Sequence, residues 1–479
     1  MEGTPGRFGM ALACVSCLLV ILSVPALGSS PEAPPVIGYS DSGINPYHEE
    51  FRAPNWTAHP STYIDGYPKS AKPLNLTLDA DTFDEAWEAD RDVWSKAETD
   101  QLYYVPGTRI VGMIDDRIQF EQEPAPGYDH DDHGHGTLVA SAGSGNTLGT
   151  APHSAIVMTS GGIKYSWMEG QPWIDVISIS TAKIVSVPGF GSARTSHAIV
   201  EEGRSIFNGG GNGPATSPGT NLHGDQRGPP WIVQVGAARP SAQGGTPGTH
   251  VPANYDRPIQ VLGTMRVPVA ETDSMNGTTI GGGTSTATPR VAGHAAQLID
   301  TARQRLNDVS HPPTNPATAY AKAPPETILP GQGPLADGSF NRTELESLLR
   351  QPAIPLPWAM PDHTLETLTF GLSPTTFPNN QPQPAEARYT WQGYGLHNFT
   401  ANQHAHDILL GHEPWPDRPV DDRWHRFWQD TRSAYWATTL CQDDEFRGSY
   451  NGNCWTDPTL DLAASTQALV SGGLDRATR

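Results

Sequence analysis

Three short stretches, far apart in the chain, hold the residue types that nucleophilic catalysis needs. Asp41-Ser42-Gly43-Ile44-Asn45-Pro46 closes an apolar run with a carboxylate and a turn. Asp132-His133-Gly134-His135-Gly136-Thr137-Leu138-Val139-Ala140 offers an imidazole between glycines. Gly283-Thr284-Ser285-Thr286-Ala287-Thr288-Pro289-Arg290-Val291-Ala292-Gly293 sets a serine at the head of an apolar stretch. A serine hydroxyl is a weak nucleophile until a base takes its proton. An imidazole is a dependable base only when a third group fixes its tautomer. Serine, histidine and aspartate together fill those three roles.

The surrounding pattern says which elements must carry them. Val36–Ser40 is a short apolar strand, so Asp41 falls at its end and Gly43 supplies the turn. Ser285 through Leu306 has Val291, Ala295, Leu298 and Ala302 at helical spacing, so Ser285 opens a helix near the positive end of its dipole. Gly281, Gly282 and Gly283 let backbone and substrate approach closely there. His135 also begins a helix, with Gly134 and Gly136 clearing its ring. Further strands are expected at Arg109–Ile114, Ala155–Met158, Val176–Ser180, Ser205–Asn208 and Trp231–Gly236, with helices around Asp81–Lys96, Ser196–Gly203, Asn341–Arg350 and Asp422–Trp436. Strands alternating with helices imply a parallel sheet covered on both faces. In such sheets the chemistry sits at the carboxyl ends of the strands.

On these motifs the chain resembles the subtilisin-like serine peptidases, whose triad runs in the order Asp, His, Ser. The resemblance spans Val36 to about Leu306 and resumes at Trp391-Gln392-Gly393-Tyr394-Gly395-Leu396-His397-Asn398. It implies an α/β, three-layer subtilisin-like fold with a mostly parallel central sheet and helices on both faces. It implies Asp41, His135 and Ser285 as the triad. Asp115 also ends an apolar strand and lies closer to His135 in sequence. It lacks the Ser-Gly turn, however, and Asp116 would stand beside it, so Asp41 is the better partner. Within Gly209-Gly210-Gly211-Asn212, the resemblance makes Asn212 the oxyanion donor, with Asn208 the runner-up. Ser180, Thr181, Ala182, Gly209, Gly210 and Gly211 would flank an extended peptide substrate bound by strand addition. Thr286 and Arg290 stand where relatives often carry other residues, and neither removes a group the mechanism needs.

Composition bounds the rest. The 479-residue chain has 30 Lys+Arg against 51 Asp+Glu, for a net charge of −21. Its only lysines are Lys69, Lys72, Lys96, Lys164, Lys183 and Lys322. Such a chain is a poor partner for nucleic acid, whose phosphates need a basic surface. Residues 1–28 read as a secretory signal, with Arg7, the apolar run from Met10 to Val24, and small residues at Ala26 and Gly28. That address implies secretion with no stable membrane anchor after cleavage, and removes Cys14 and Cys17. It also leaves no room for a globular propeptide ahead of Asp41. Cys441 and Cys454 are then expected to form one short-loop disulfide worth roughly 3 kcal/mol, two free thiols being the alternative. Asn55, Asn75, Asn276, Asn341 and Asn398 head glycosylation sequons, of consequence only in a host that glycosylates exported proteins.

The expected organisation is a catalytic domain over 29–310, with a surface insertion at about 52–108. A Pro-rich linker or insertion follows at 311–386. The end of the catalytic domain and an aromatic cap occupy 387–479. The expected function is a secreted, monomeric serine endopeptidase acting on protein or peptide substrates through an acyl-enzyme. The alternative is a catalytically silent scaffold that binds peptides or surfaces. No cofactor is required. His130-Asp131-Asp132-His133 reads as a solvated cluster rather than a transition-metal site. A structural calcium suits the family, although no loop spells out its ligands.

Overall fold

The computed structural model describes residues 34–115, 134–160, 165–180, 191–212, 232–240, 250–254, 260–308, 319–354 and 395–416. The expected signal, the 422–436 helix, His130, His133, Thr181, Ala182, Cys441 and Cys454 lie outside them.

Strand β1 (Val36–Ser40) is buried along its whole length. A strand with no polar face can only sit inside a sheet covered on both sides. It pairs in parallel with β5 (Ala155–Ser160) and with β6 (Val176–Ile179). Beyond β5 come β4 (Ile110–Asp115), β3 (Tyr103–Tyr104) and β2 (Lys72–Pro73). Beyond β6 come β7 (Ser205–Gly209), β8 (Val233–Pro240) and β10 (Val261–Thr264), with β9 (His250–Asn254) also on β8. Among the described pairings of this sheet, only β3 with β4 and β8 with β9 are antiparallel.

The period-2 alternation of these strands sorts the helices into two layers. Ile37 and Tyr39 of β1, Ile156 and Met158 of β5, and Phe207 of β7 join one core cluster. That cluster takes in helix α2 (His135–Ser144) and the long helix α5 (Gly283–Leu306). Val36, Ala155, Val157 and Ile206 point the other way, into a second cluster. That one contains Met168 of α3 (Tyr165–Glu169) and Ile199 and Val200 of α4 (Gly191–Glu201). The result is the three-layer architecture expected from the alternating pattern.

Two stretches are more deeply built in than the sequence suggests. Part of the expected surface insertion extends the sheet through β2 and β3. Its helix α1 (Phe83–Ser95) is capped by Thr82 and buries Phe83, Ala86 and Trp94. Asp90, also buried on α1, accepts from the Tyr47 hydroxyl at 2.9 Å and from the Thr77 amide at 2.6 Å. Polar, Pro-punctuated sequence hides this core because only one face of α1 is apolar. Likewise, the described part of the expected linker or insertion, 319–354, packs against α5. There α6 (Arg342–Arg350), held by an Asn341–Glu344 capping box, buries Leu345, Leu348 and Leu349 in the cluster around α5. Asn341 thus serves as a cap, as does Asn398 for α7 (Phe399–Leu409). Just before α7, the Leu262 amide donates to the Gly395 carbonyl, and the His397 amide to the Leu262 carbonyl, each at 2.8 Å. The described end of the resumed segment, 395–398, therefore runs beside β10.

One ion pair fastens the end of the sheet opposite Asp41. Arg303 of α5 grips Asp175 through both terminal nitrogens, at 3.0 and 2.5 Å, and both side chains are almost fully buried. Asp175 also accepts from the Val36 amide at 2.8 Å. Removing one partner of a buried pair strands the other charge, which costs about 3–5 kcal/mol. Asp175→Ala should therefore lower the urea-unfolding free energy by about that amount; a loss below about 1 kcal/mol would contradict this role.

Candidate active site

Asp41 continues β1 by one residue, its amide donating to the Thr159 carbonyl of β5 at 2.9 Å. The chain then turns at Gly43, whose φ is 136°. This seats the carboxylate at the carboxyl end of the sheet, its side chain fully buried. Its Oδ1 accepts from the Ser42 amide at 2.8 Å and lies 2.7 Å from Nδ1 of His135. With Nδ1–H committed to Asp41, Nε2 keeps its lone pair and can act as a base. The imidazole is about one-third exposed, so substrate can reach it.

Two contacts hold this pair in register. The Ser42 hydroxyl accepts from the Gly136 amide at 2.9 Å. Gly136 also packs so closely on the turn after Asp41 that a Cβ there would stand 2.0 Å from the Gly43 carbonyl oxygen. Only glycine allows that approach. Asp115 ends β4, with β5 standing between that strand and β1. The partner nearer in sequence is thus the one farther away in the sheet.

Ser285 is the third residue of α5 and is buried. The first amides of a helix have no intrahelical acceptor. The Thr284 amide is taken by Oδ1 of Asn212 at 2.8 Å, with the Thr284 hydroxyl at 3.1 Å from the same oxygen. These two donors fix the orientation of the amide group, leaving Nδ2 of Asn212 as its donating arm. Asn212 is exposed, beyond the end of β7. Asn208 is buried on that strand and donates to the Ile179 carbonyl at 3.2 Å. Pro289 lies inside α5 and has no N–H, which frees the Ser285 carbonyl four residues earlier. The Ser180 hydroxyl, just past β6, donates to that carbonyl at 3.3 Å. Gly209, Gly210 and Gly211 run from the end of β7 to Asn212, with the Gly210 amide bonded to the Val235 carbonyl at 2.7 Å.

Asp41, Ser180 and Asn212 thus all follow the carboxyl ends of strands β1, β6 and β7, with His135 bonded to Asp41 and the Ser285 carbonyl bonded to Ser180. The roles of Thr284 in aiming Asn212 and of Ser42 in seating α2 are invisible in the sequence, although both residues lie inside the motifs. Among the described residues, no three or more His, Cys, Asp or Glu side chains gather as metal ligands. Nor is any described helix long and apolar enough to cross a membrane.

The model of the subtilase family matches residues 33–319. The chain belongs to the subtilase family. Membership of this subtilase supports a serine-type peptidase acting on peptide or protein substrates. No curated protein matches the subtilase sequence. Solved structures similar to it include the prenylagaramide maturation protease PagA, at 13% identity and a TM-score of 0.38, covering 79% of this chain and 94% of that one. The self-cleaved protease domain of PatA is 14% identical with a TM-score of 0.38, covering 80% of this chain and 98% of that one.

Proposed function

We propose that this subtilase is a secreted serine endopeptidase working through Asp41, His135 and Ser285. The observation that carries the reading is the buried Asp41 carboxylate 2.7 Å from Nδ1 of a part-exposed His135. A buried carboxylate on an imidazole stabilises the imidazolium that forms when the base accepts a proton. Nε2 of His135 takes the Ser285 hydroxyl proton as Oγ attacks the scissile carbonyl. The tetrahedral oxyanion is held by the Ser285 amide and Nδ2 of Asn212. His135 then returns the proton to the leaving amine as the C–N bond breaks, giving an acyl-enzyme. Water, activated by the same imidazole, releases the acid product. The substrate lies as an extended strand between the ends of β6 and β7, with Ser180 on one side and Gly209, Gly210 and Gly211 on the other.

A fluorophosphonate probe tests the reading. It should label the protein at Ser285, and peptide mapping should place the adduct there. Absence of labelling alongside absence of casein hydrolysis would favour the silent scaffold. The oxyanion assignment has its own test. Asn212→Leu should lower kcat with little change in KM, by the about 10²–10³-fold that losing such a donor costs in a subtilisin, a figure carried over from that relative. A kcat within twofold of wild type would move the role to another donor.

A further inference from the structure

Asn45 is fully buried, yet every polar group it carries is used. Its backbone amide donates to the Thr137 hydroxyl at 2.8 Å. Thr137 lies in the first turn of α2, just past His135. The side-chain Nδ2 donates twice, to the carbonyls of Thr272 at 2.5 Å and Ser274 at 2.9 Å. The side-chain Oδ1 accepts from the Tyr47 amide at 2.9 Å. Thr272 and Ser274 belong to the turn joining β11 (Val267–Ala270) to β12 (Thr278–Gly281), an antiparallel ribbon that runs directly into Gly282, Gly283 and Ser285. The same turn is bonded to the Asp41 segment twice more. The Glu49 amide donates to the Met275 carbonyl at 2.7 Å, and Nε2 of His48 meets the Gly277 carbonyl at 2.9 Å.

We infer that Asn45 is a positioning residue of the triad, tying the Asp41 turn to the His135 helix and to the ribbon that delivers Ser285. This rests on the proposed function of the same site. Asp41 and His135 are bonded to each other, but Ser285 arrives on a separate element. A nucleophile and its base must agree to a fraction of an ångström, and a displacement of about 1 Å can cost about 10²-fold in rate. Asn45 suits this task because an amide can donate twice and accept once. An aspartate of the same shape would offer no donor and would set a carboxylate against two carbonyls.

The test compares Asn45→Ala and Asn45→Asp with wild type well below their melting temperatures. Each should lose about 10²-fold in kcat on a peptide substrate, with KM within about threefold. Phosphonylation of Ser285 by the fluorophosphonate should slow in parallel. A purely structural asparagine would lower the melting temperature and leave the kcat of the folded fraction unchanged, which would overturn the inference. Should the Asn45 variants not fold, Thr137→Val removes one tie alone. It should lower kcat about tenfold, with Thr137→Ser restoring it; a wild-type kcat in Thr137→Val would equally overturn the inference. Wild type that neither labels nor cleaves refutes the proposed function itself, whereas a fully active Asn45→Ala refutes only this inference.

Discussion

Ser285→Ala will lower kcat by about 10⁶-fold, the loss carried over from a subtilisin stripped of its nucleophile. In the proposed mechanism the acyl bond forms on the Ser285 oxygen, which alanine lacks. Water must then attack directly, helped only by binding and the oxyanion donors. His135→Ala should do equal damage, because an unassisted hydroxyl is a poor nucleophile at neutral pH. The double variant should be no worse than either single one, since the two act as a unit. Asp41→Asn is the more informative change. The amide keeps the shape but presents the wrong partner to Nδ1, so the imidazole is held in the wrong tautomer, at a cost of about 10⁴-fold in kcat. Casein hydrolysis and active-site titration of purified variants check all four. If Asp41→Asn retained full activity while Asp115→Asn lost it, the triad would have to be redrawn around β4.

The second large effect concerns acid. His294, on the buried side of α5, lies with its ring centroid 5.1 Å from that of His397. His406 of α7 bonds the Thr301 hydroxyl at 3.1 Å. Desolvation by burial holds His397 and His406 down from the usual 6.5 to about 4, and His294 well below 6.5. The neighbouring Arg290 and the other two rings push His294 further down, while Asp407 opposes the shift at His406. An unfolded chain takes up these protons as the pH falls below about 6.5, whereas in the folded chain His397 and His406 refuse theirs until about pH 4 and His294 is held down in the same direction. Stability is therefore complete above pH 6.5 and drains away between 6.5 and 4, by roughly 3 kcal/mol for each of His397 and His406, with His294 adding in the same direction. Glu344, pushed up to about 7 by burial, works in the opposite direction. The net slope is then that of roughly two groups. Ordinary carboxylates stay ionised above pH 5, so from 6.5 to 5 the slope is set by these histidines with Glu344 opposing them. Urea midpoints should fall steeply across it, and His397→Leu should flatten the slope. Midpoints unchanged from pH 7 to pH 5 would sink this account.

The −21 charge has a place in the same picture. Like charge keeps a protein soluble while weakening the compact state by self-repulsion. Buried pairs such as Asp175–Arg303 are insulated from the salt that screens surface charge.

How much of this was legible in the sequence depends on the range of the interaction concerned. The triad motifs, the strand ends that carry them and the capped helices are local matters. Val36–Ser40 must be a buried strand because it has no polar face. Ser285 must open a helix because glycines precede it and apolar residues follow at helical spacing. The helix expected around Asn341–Arg350 forms from its own local pattern. Those features were decided by sequence alone, since turn chemistry and hydrophobic period act over a few residues. The contacts between segments were not. That α1 is sewn to Tyr47 through Asp90 and Trp94, that 319–354 closes over α5, and that Thr284 aims Asn212 all depend on side chains meeting across long separations. The same holds for Asn45, which reads as one more turn residue beside a proline. Only the folded chain brings Thr137, Thr272 and Ser274 within hydrogen-bonding reach of it, because burial forces each polar group to find whichever partner the packing supplies.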